Sequence, residues 1–137
     1  MGYDVAMTIL LTLILGSIAA AHFAWGLKIW LPIRDEKQLA RTVVGAKGIN
    51  RMPGTIPCML VVAGLCVMIA SLWTSHLWFS RMVMWGVVAV FALRGAIAYT
   101  KFWRRVTPEE PFNTYDKYYY APLCLAISAG VLVVLAS

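Results

Sequence analysis

Residues 58–73 read CMLVVAGLCVMIASLW, a run without a single charged side chain. At about 1.5 Å per residue, a helix over this run and its flanks is long enough to approach the roughly 30 Å of a bilayer's hydrocarbon core. Residues 7–21, MTILLTLILGSIAAA, are likewise apolar on every side. A surface helix of a soluble bundle has a polar face, and neither run has one. Both runs therefore predict membrane-spanning helices.

The composition of the whole chain indicates the same class. Of its 137 residues, 61% are apolar and only 13% charged, and the mean hydropathy is +0.76. Soluble domains carry about 25% charged residues. Four apolar segments, at about 5–30, 56–74, 82–102 and 119–136, predict one integral membrane domain over residues 1–137. The expected fold is all-α, a transmembrane four-helix up-and-down bundle.

The basic residues predict the orientation of this bundle. No Lys or Arg precedes Lys28, so the first segment lacks a signal peptide's basic start and should remain as a span. The connection between spans one and two contains five basic residues: Arg34, Lys37, Arg41, Lys47 and Arg51. The second connection contains only Arg81, whereas the region around the third contains Lys101, Arg104, Arg105 and Lys117. By the positive-inside rule, the first and third connections are cytoplasmic and the topology is N-out/C-out.

Aromatic residues and net charge agree with that orientation. The expected outer interface contains Tyr3, Trp73, Trp78, Phe79 and Trp85, and the inner one Trp30, Phe102, Trp103, Tyr118, Tyr119 and Tyr120. Trp and Tyr are enriched at such interfaces. The net charge of +6 predicts contact with anionic lipid headgroups as partners, and no nucleic-acid-reading pattern accompanies it.

The two cytoplasmic connections have their own local signals. The first half of the first connection can form a short helix, with Asp35 and Glu36 in its first turn and Leu39 and Val43 on one face. The connection could fold back as a lid or lie on headgroups as a basic interfacial segment, and we favour the second interpretation. Its GAKGINR stretch, 45–51, lacks the spacing of a phosphate-binding loop. In the third connection, Thr107-Pro108-Glu109-Glu110 predicts a helix start, with Glu110 completing a capping box.

Arg94 interrupts the apolar stretch AVFALRGAIAY, residues 89–99. A span that ends at 102 places Arg94 about 12 Å from its cytoplasmic end, where a charged side chain is costly to insert. Arg94 could snorkel towards that end beside Lys101. Alternatively, it faces the bundle interior and holds an anion or a polar network, with His22 as its expected neighbour and Asp116 as its ion-pair partner.

Polar and reactive side chains concentrate in the cytoplasmic half of the bundle. We therefore expect a ligand-binding site there, and its candidate residues are His22, Trp25, Arg94, Tyr99, Asp116, Tyr120 and Cys124. No catalytic residue is identified. His76 lies nearly a membrane away from His22, which argues against a bis-histidine haem, and scattered cysteines do not make a zinc site. Cys58 and Cys66 are about 12 Å apart on one helix, too far for a disulfide. We expect no metal and no cofactor.

Three motifs together resemble a family of small bacterial four-helix membrane proteins, a domain of unknown function. They are AHFAWG at 21–26, Arg94 and FNTYDKYYYAPLC at 112–124. The shared features are His-x-x-Trp-Gly near the end of span one and Asp-x-x-x-Tyr-x-Pro-Leu-Cys at the start of span four. The resemblance covers nearly the whole chain. It implies a four-helix integral membrane fold, here of the bacterial inner (plasma) membrane, and no activity.

Three functional hypotheses remain open at this stage. The first is a binding or transport protein whose pocket opens towards the inner leaflet and takes a lipid-like or small anionic ligand. The second is an accessory or structural subunit, because so small a bundle suits a homo-oligomer or a larger membrane complex. The third is an intramembrane enzyme for a lipid or quinone-like substrate, with His22 as acid/base and Cys124 or Tyr120 assisting. The first two hypotheses, neither of them enzymatic, are favoured.

Overall fold

Helices form the secondary structure of residues 2–137, the part of the chain that the structure describes, and no strand occurs there. The computed structural model confirms the all-α class. In chain order its elements are α1 (Tyr3–Gly26), α2 (Glu36–Val43), α3 (Thr55–Trp73), α4 (Trp78–Ile97), α5 (Lys101–Val106), α6 (Phe112–Tyr115), a π-helical turn (Asp116–Tyr120) and α7 (Ala121–Ala136). The Tyr3 side chain lies outside the described residues, so its expected interfacial position stays a prediction.

Four helical stretches are long and apolar enough to cross a membrane. They are Asp4–Gly26, Thr55–Trp73, Trp78–Ile97 and Phe112–Ala136. The number of candidate spans within residues 2–137 agrees with the sequence, but the boundaries of three spans differ from those expected. The first span ends four residues earlier than expected, the third is shifted towards the N-terminus, and the fourth begins before its apolar segment.

Local backbone chemistry explains these shifted ends. α1 stops because Lys28 adopts a left-handed conformation, with φ of 61°. α4 stops because the Thr100 side chain accepts a hydrogen bond from the Trp103 amide and thereby starts a new helix, α5. The fourth stretch begins at Phe112, directly after Pro111. Hydropathy identifies the apolar runs but not these caps.

Contacts at both ends of the helices establish an up-and-down bundle. At one end, Thr55 Oγ1 donates to Gly26 O (2.8 Å), which joins the start of α3 to the end of α1. At the other end, Trp73 Nε1 donates to Thr12 Oγ1 (3.0 Å). Arg81 Nη2, near the start of α4, donates to Leu135 O (2.8 Å), near the end of α7. Helices α1 and α3, like α4 and α7, are therefore antiparallel pairs.

The bundle has an apolar core and close helix contacts. Leu11, Leu15, Met84, Ile127 and Val131 are almost completely buried in it. Close approach of α4 and α7 requires Gly95, because a β-carbon there would lie 2.6 Å from the Leu125 side chain. Gly26 also lies at a helix contact, but the nearest atom to a β-carbon there is the terminal methyl group of Met59, a flexible side chain that can move. Small residues at such positions allow membrane helices to pack closely.

Segments 27–54 and 98–111 cover one end of the bundle, which we call the capped end. As expected, α2 begins with Asp35, whose side chain accepts from the Gln38 amide (2.7 Å). Leu39 and Ala40 on α2 are fully buried and form a small second core with Met52. The first connection is therefore a capping element that folds back on the protein, and the expected contact of its basic residues with headgroups stays a prediction.

The two connections at the capped end are interlocked. The Glu109 carboxylate accepts from the Gly48 amide (3.1 Å) and pairs with Arg41 Nη2 (2.9 Å). The Glu109 amide in turn donates to Gly45 O (3.2 Å). Phe112 packs directly on Gly45, which has a φ of 67°. Two stretches more than sixty positions apart in the chain thus form one unit.

The expected helix start at Thr107 is also wrong. Thr107 follows the last residue of α5 and its hydroxyl donates to Trp103 O (2.8 Å), so it closes a helix rather than opening one. Glu110 does approach a helix start, accepting from the Thr114 amide (3.2 Å) of α6. The capping signal at Glu110 therefore belongs to α6, which begins at Phe112, five residues after Thr107.

Gly45 and Gly48 provide a matched test of the interlocked cap. Both have a positive φ, but a β-carbon at Gly48 meets nothing, whereas one at Gly45 overlaps the Phe112 ring. Gly48→Ala should lower the free energy of unfolding by about 1–2 kcal/mol, because alanine is disfavoured in the left-handed conformation. Gly45→Ala adds the overlap and should cost about 2–4 kcal/mol in total. Thermal unfolding followed by circular dichroism in mild detergent measures both; equal losses of stability would contradict the docked arrangement.

Candidate functional site

The carboxylate of Asp116 is the centre of the polar site at the capped end. It is fully buried in the π-helical turn, with 0% exposure. Its Oδ1 accepts from Arg94 Nη2 (2.6 Å), and its Oδ2 accepts from Trp103 Nε1 (2.8 Å) and Arg104 Nη2 (3.1 Å). Charge-assisted bonds of this kind compensate the cost of removing a carboxylate from water. We call Asp116, Arg94, Trp103, Arg104 and Asn113 the Asp116 cluster.

Arg104 fixes the geometry of the chain around the carboxylate. Its Nε donates to Ala98 O (2.6 Å), which lies in the turn between α4 and α5. Its Nη1 donates to the backbone and side-chain oxygens of Asn113 in α6 (2.7 and 2.9 Å). The planar guanidinium can serve several acceptors in one plane. Arg104 therefore joins α5 and α6 to the end of α4.

Arg94 lies at a different depth from the one expected. Because α4 ends at Ile97, Arg94 is in the last turn of the helix, about 4.5 Å from its end. A cation in the last turn also interacts favourably with the helix dipole. Lys101 begins the separate helix α5, so the expected shared face of Arg94 and Lys101 does not exist. The expected ion pair between Arg94 and Asp116 is present.

The guanidinium of Arg94 is only partly satisfied. Its Cζ lies 4.8 Å from the centre of the Trp103 ring, and its Nη2 binds Asp116. Its Nη1 is buried and has no hydrogen-bond acceptor within residues 2–137. The side chain as a whole keeps 29% of its surface exposed. One buried N–H group of the cluster therefore has no acceptor among the described residues.

The π-helical turn explains the position of Tyr99. Ala121 donates to Asp116 O, five residues earlier, and Pro122 has no N–H with which to continue that pattern. The Lys117 carbonyl is thus left free, and Tyr99 Oη donates to it (3.0 Å). Backbone carbonyls released by proline need such substitutes in a membrane helix. The single-turn π-helix is a feature often found at functional sites.

His22 and Trp25 lie outside the Asp116 cluster. His22 Nδ1 is 2.9 Å from Ile18 O in its own helix, and its ring contacts that of Trp25 (4.9 Å between centres). Trp25 Nε1 donates to Leu31 O (2.7 Å). Arg94 instead has Asp116 and Trp103 as its neighbours. The expectation that His22 is the neighbour of Arg94 was therefore wrong.

Tyr120 and Cys124 occupy the remaining candidate positions. Tyr120 Oη donates to Thr42 O (3.1 Å) and its ring contacts Phe112, so it joins the π-helical turn to the cap. Cys124 is a half-buried free cysteine on α7. The structure thus brings Arg94, Tyr99 and Asp116 together, and leaves Tyr120 on the side of Asp116 that faces α2.

Trp103, Arg104 and Asn113 belong to the cluster but were not identified from the sequence. Trp103 was assigned to the interfacial aromatics, yet its indole N–H is committed to Asp116. Arg104 was counted only as a loop charge, as was its neighbour Arg105, which is exposed. The sequence does contain one indication of these partners. Asp116 lies beside an apolar span, and a carboxylate there requires cationic partners at the same depth in the membrane.

Four cavities in the structure lie away from Arg94. Two of about 300 Å³ flank the cap, one beside Trp25 and Trp30 and one beside Lys37 and Arg41. One of about 150 Å³ lies at the opposite end of the bundle. The fourth is a narrow gap in the apolar core. Arg94 lines none of these four cavities. A polar pocket was expected around Arg94, but the side chains around it are packed against one another in the Asp116 cluster.

Fold and site together define a small helical bundle of membrane-spanning length with an internally paired polar cluster. The family model described as "Protein of unknown function (DUF3995)" matches residues 15–131. The chain belongs to this family, as the motifs in spans one and four indicated, and the match includes all seven candidate site residues. No curated protein and no solved structure matches the chain.

The charge balance of the cluster makes two substitutions unequal. Asp116→Asn leaves two cations without their shared anion and should cost about 3–5 kcal/mol, as other broken buried pairs do. Arg94→Met leaves Asp116 paired with Arg104 and removes the unsatisfied donor, so it should cost about 1 kcal/mol or less. Chemical unfolding of both variants in one detergent measures the difference. A larger loss for Arg94→Met would contradict this account of the cluster.

Proposed function

We propose that this protein binds an anionic ligand at Arg94, on the surface of a four-helix membrane bundle. The observation that carries the proposal is the buried Arg94 Nη1, a donor without an acceptor in residues 2–137. An unsatisfied buried donor costs about 1–3 kcal/mol, and more where charge is involved. A ligand oxygen at this atom would recover that cost.

The charge of the cluster supports an anion in particular. Arg94 and Arg104 contribute two positive charges and Asp116 one negative charge, which leaves one positive charge in excess. Both oxygens of Asp116 are already used by three donors. Neither water nor a neutral acceptor would balance the remaining charge, whereas a phosphate or carboxylate group would.

The surroundings of Arg94 support a ligand in the headgroup region. Arg94 lies in the last turn of α4, and the exposed side chains of Lys101, Phe102 and Lys117 are close in sequence to the cluster residues. Cations and aromatic rings are the side chains that meet headgroups at an interface. A lipid headgroup, or a small anion of the same chemistry, is therefore the ligand class we propose.

The capped end is proposed to face the cytoplasm of a bacterium, with the bundle in its inner membrane. Every basic residue except Arg81 is located in or beside the segments of the capped end. Short connections that are rich in Lys and Arg remain on the cytoplasmic side. This distribution supports N-out and C-out and, with that topology, a ligand in the inner leaflet.

A second candidate function is that of an accessory subunit, in a homo-oligomer or a larger complex. The specific observation in its favour is that the Asp116 carboxylate is satisfied entirely within the chain, by donors from α4 and α5. An ion pair that is satisfied within the chain is suited to a purely structural role, in which it holds the helices together. The enzymatic hypothesis has less support, because His22 and Tyr120 each already form a hydrogen bond with a backbone carbonyl.

Native mass spectrometry separates the two candidates. The wild-type protein, purified in mild detergent, should carry one more anionic adduct than Arg94→Met, since methionine keeps the packing and removes the donors. Arg81→Met is the matched control, because Arg81 lies at the other end of the bundle, where it binds Leu135 O. It should retain the adduct. The same adducts on all three proteins would contradict binding at Arg94 and favour the accessory role.

The orientation is tested by reporter fusions after Ser137. Alkaline phosphatase folds only outside the cytoplasm, and green fluorescent protein becomes fluorescent only when it folds inside. With C-out topology, the phosphatase fusion should be active and the fluorescent fusion dark. The same reporters inserted after Lys47, in the first connection, should give the reverse pattern. A fluorescent fusion after Ser137 would refute the proposed orientation.

A further inference from the structure

A second binding site is suggested by the cavity between the end of α1 and the start of α3. Its volume is about 300 Å³, and its lining includes Trp25, Lys28, Trp30 and Arg51. It lies on the α1 and α3 side of the capped end, whereas the Asp116 cluster joins α4 to the fourth helical stretch. We propose that this cavity binds the phosphate of an anionic lipid headgroup, independently of Arg94.

The charges around the cavity favour an oxyanion. Neither Lys28 nor Arg51 forms a salt bridge within residues 2–137. The lining also includes Glu36, whose carboxylate accepts from the Met52 amide (3.1 Å) and is thereby held. Two cations and one carboxylate leave one positive charge. Charge-assisted hydrogen bonds from an ammonium and a guanidinium group are well suited to phosphate.

The backbone at Lys28 supports a functional role for this side chain. Lys28 ends α1 in a left-handed conformation, with φ of 61°, and its amide donates to Trp25 O (3.0 Å). The next amide, that of Ile29, donates to Ala24 O (2.9 Å). Glycine is the usual residue at this position of a helix end, because a β-carbon is disfavoured there. A lysine at this position is less favourable for folding, and it brings an ammonium group to the cavity.

Two indole rings indicate that the anion belongs to an amphiphile. Trp25 is fixed by its hydrogen bond to Leu31 O (2.7 Å), and Trp30 is half-buried beside it. The cavity follows directly on the last residue of a candidate span, Gly26, at the depth where headgroups are expected. Acyl or glycerol groups can contact the rings while the phosphate reaches Lys28 and Arg51. A free phosphate would use only the two cations.

The test compares phosphatidylglycerol with inorganic phosphate. The full chain is prepared with the Arg94→Met substitution, so that lipid binding reports this cavity alone, and titrated with phosphatidylglycerol or with phosphatidylcholine in detergent. Native mass spectrometry measures the bound fraction. Lys28→Gly combined with Arg51→Gln should weaken phosphatidylglycerol binding about tenfold or more. Arg34→Gln removes one charge from the same connection outside the cavity and should leave binding within about twofold.

Lys28→Gly alone provides a second measurement that a purely structural role would not explain. Glycine suits the left-handed conformation, so this variant should unfold at a higher temperature and yet bind phosphatidylglycerol more weakly. Unchanged phosphatidylglycerol binding in the double variant would overturn the proposal. A different result would exclude a lipid as the source of the oxyanion. In that case, millimolar inorganic phosphate would compete for the cavity, and the protein would bind phosphatidylglycerol no better than phosphatidylcholine.

Discussion

The buried carboxylate of Asp116 is the constraint on which the capped end depends. A carboxylate removed from water must be paired and hydrogen-bonded, and here its partners come from two other elements, α4 and α5. α4 must therefore end soon after Arg94, and α5 must turn back so that Trp103 and Arg104 reach the same two oxygens. The course of the chain from residue 94 to residue 116 follows from this one requirement.

The π-helical turn connects this cluster to the cap. Asp116 and Tyr120 are the first and last residues of the turn, and they face different neighbours: Asp116 faces α4 and α5, and Tyr120 donates to Thr42 O of α2. Glu109 and Phe112, just before the turn, contact the first connection at Arg41 and Gly45. Both connections and two spans thus meet in a short stretch of chain.

The sequence predicts the spans well because hydrophobicity is summed over many residues. The four apolar segments follow from such sums, and the Arg94–Asp116 pair is expected because both residues fall in the same half of the predicted bundle. The ends of the helices depend on single contacts, such as the left-handed Lys28 after α1 and the Thr100 cap of α5. The Thr100 cap determines that Arg94 lies in the last turn of α4 rather than about 12 Å inside the span. The sequence alone does not distinguish Arg104 from its neighbour Arg105, and only the course of α5 in the structure shows that Arg104 faces Asp116. Docking of α2 rests on contacts between residues far apart in the chain, for which no local pattern exists.

A double-mutant cycle on Arg94 and Asp116 tests the central claim most directly. If the cluster is held by the attraction between Asp116 and its two cationic partners, adding Arg94→Met to Asp116→Asn removes one of the two cations that the first substitution leaves unpaired. The double variant should then be more stable than Asp116→Asn alone, with a favourable interaction energy of about 1–3 kcal/mol between the two sites. Denaturant unfolding of the wild type, both single variants and the double variant in one detergent provides the cycle. Strictly additive losses would show that Arg94 and Asp116 act independently, and would contradict the ion-paired cluster described for this site.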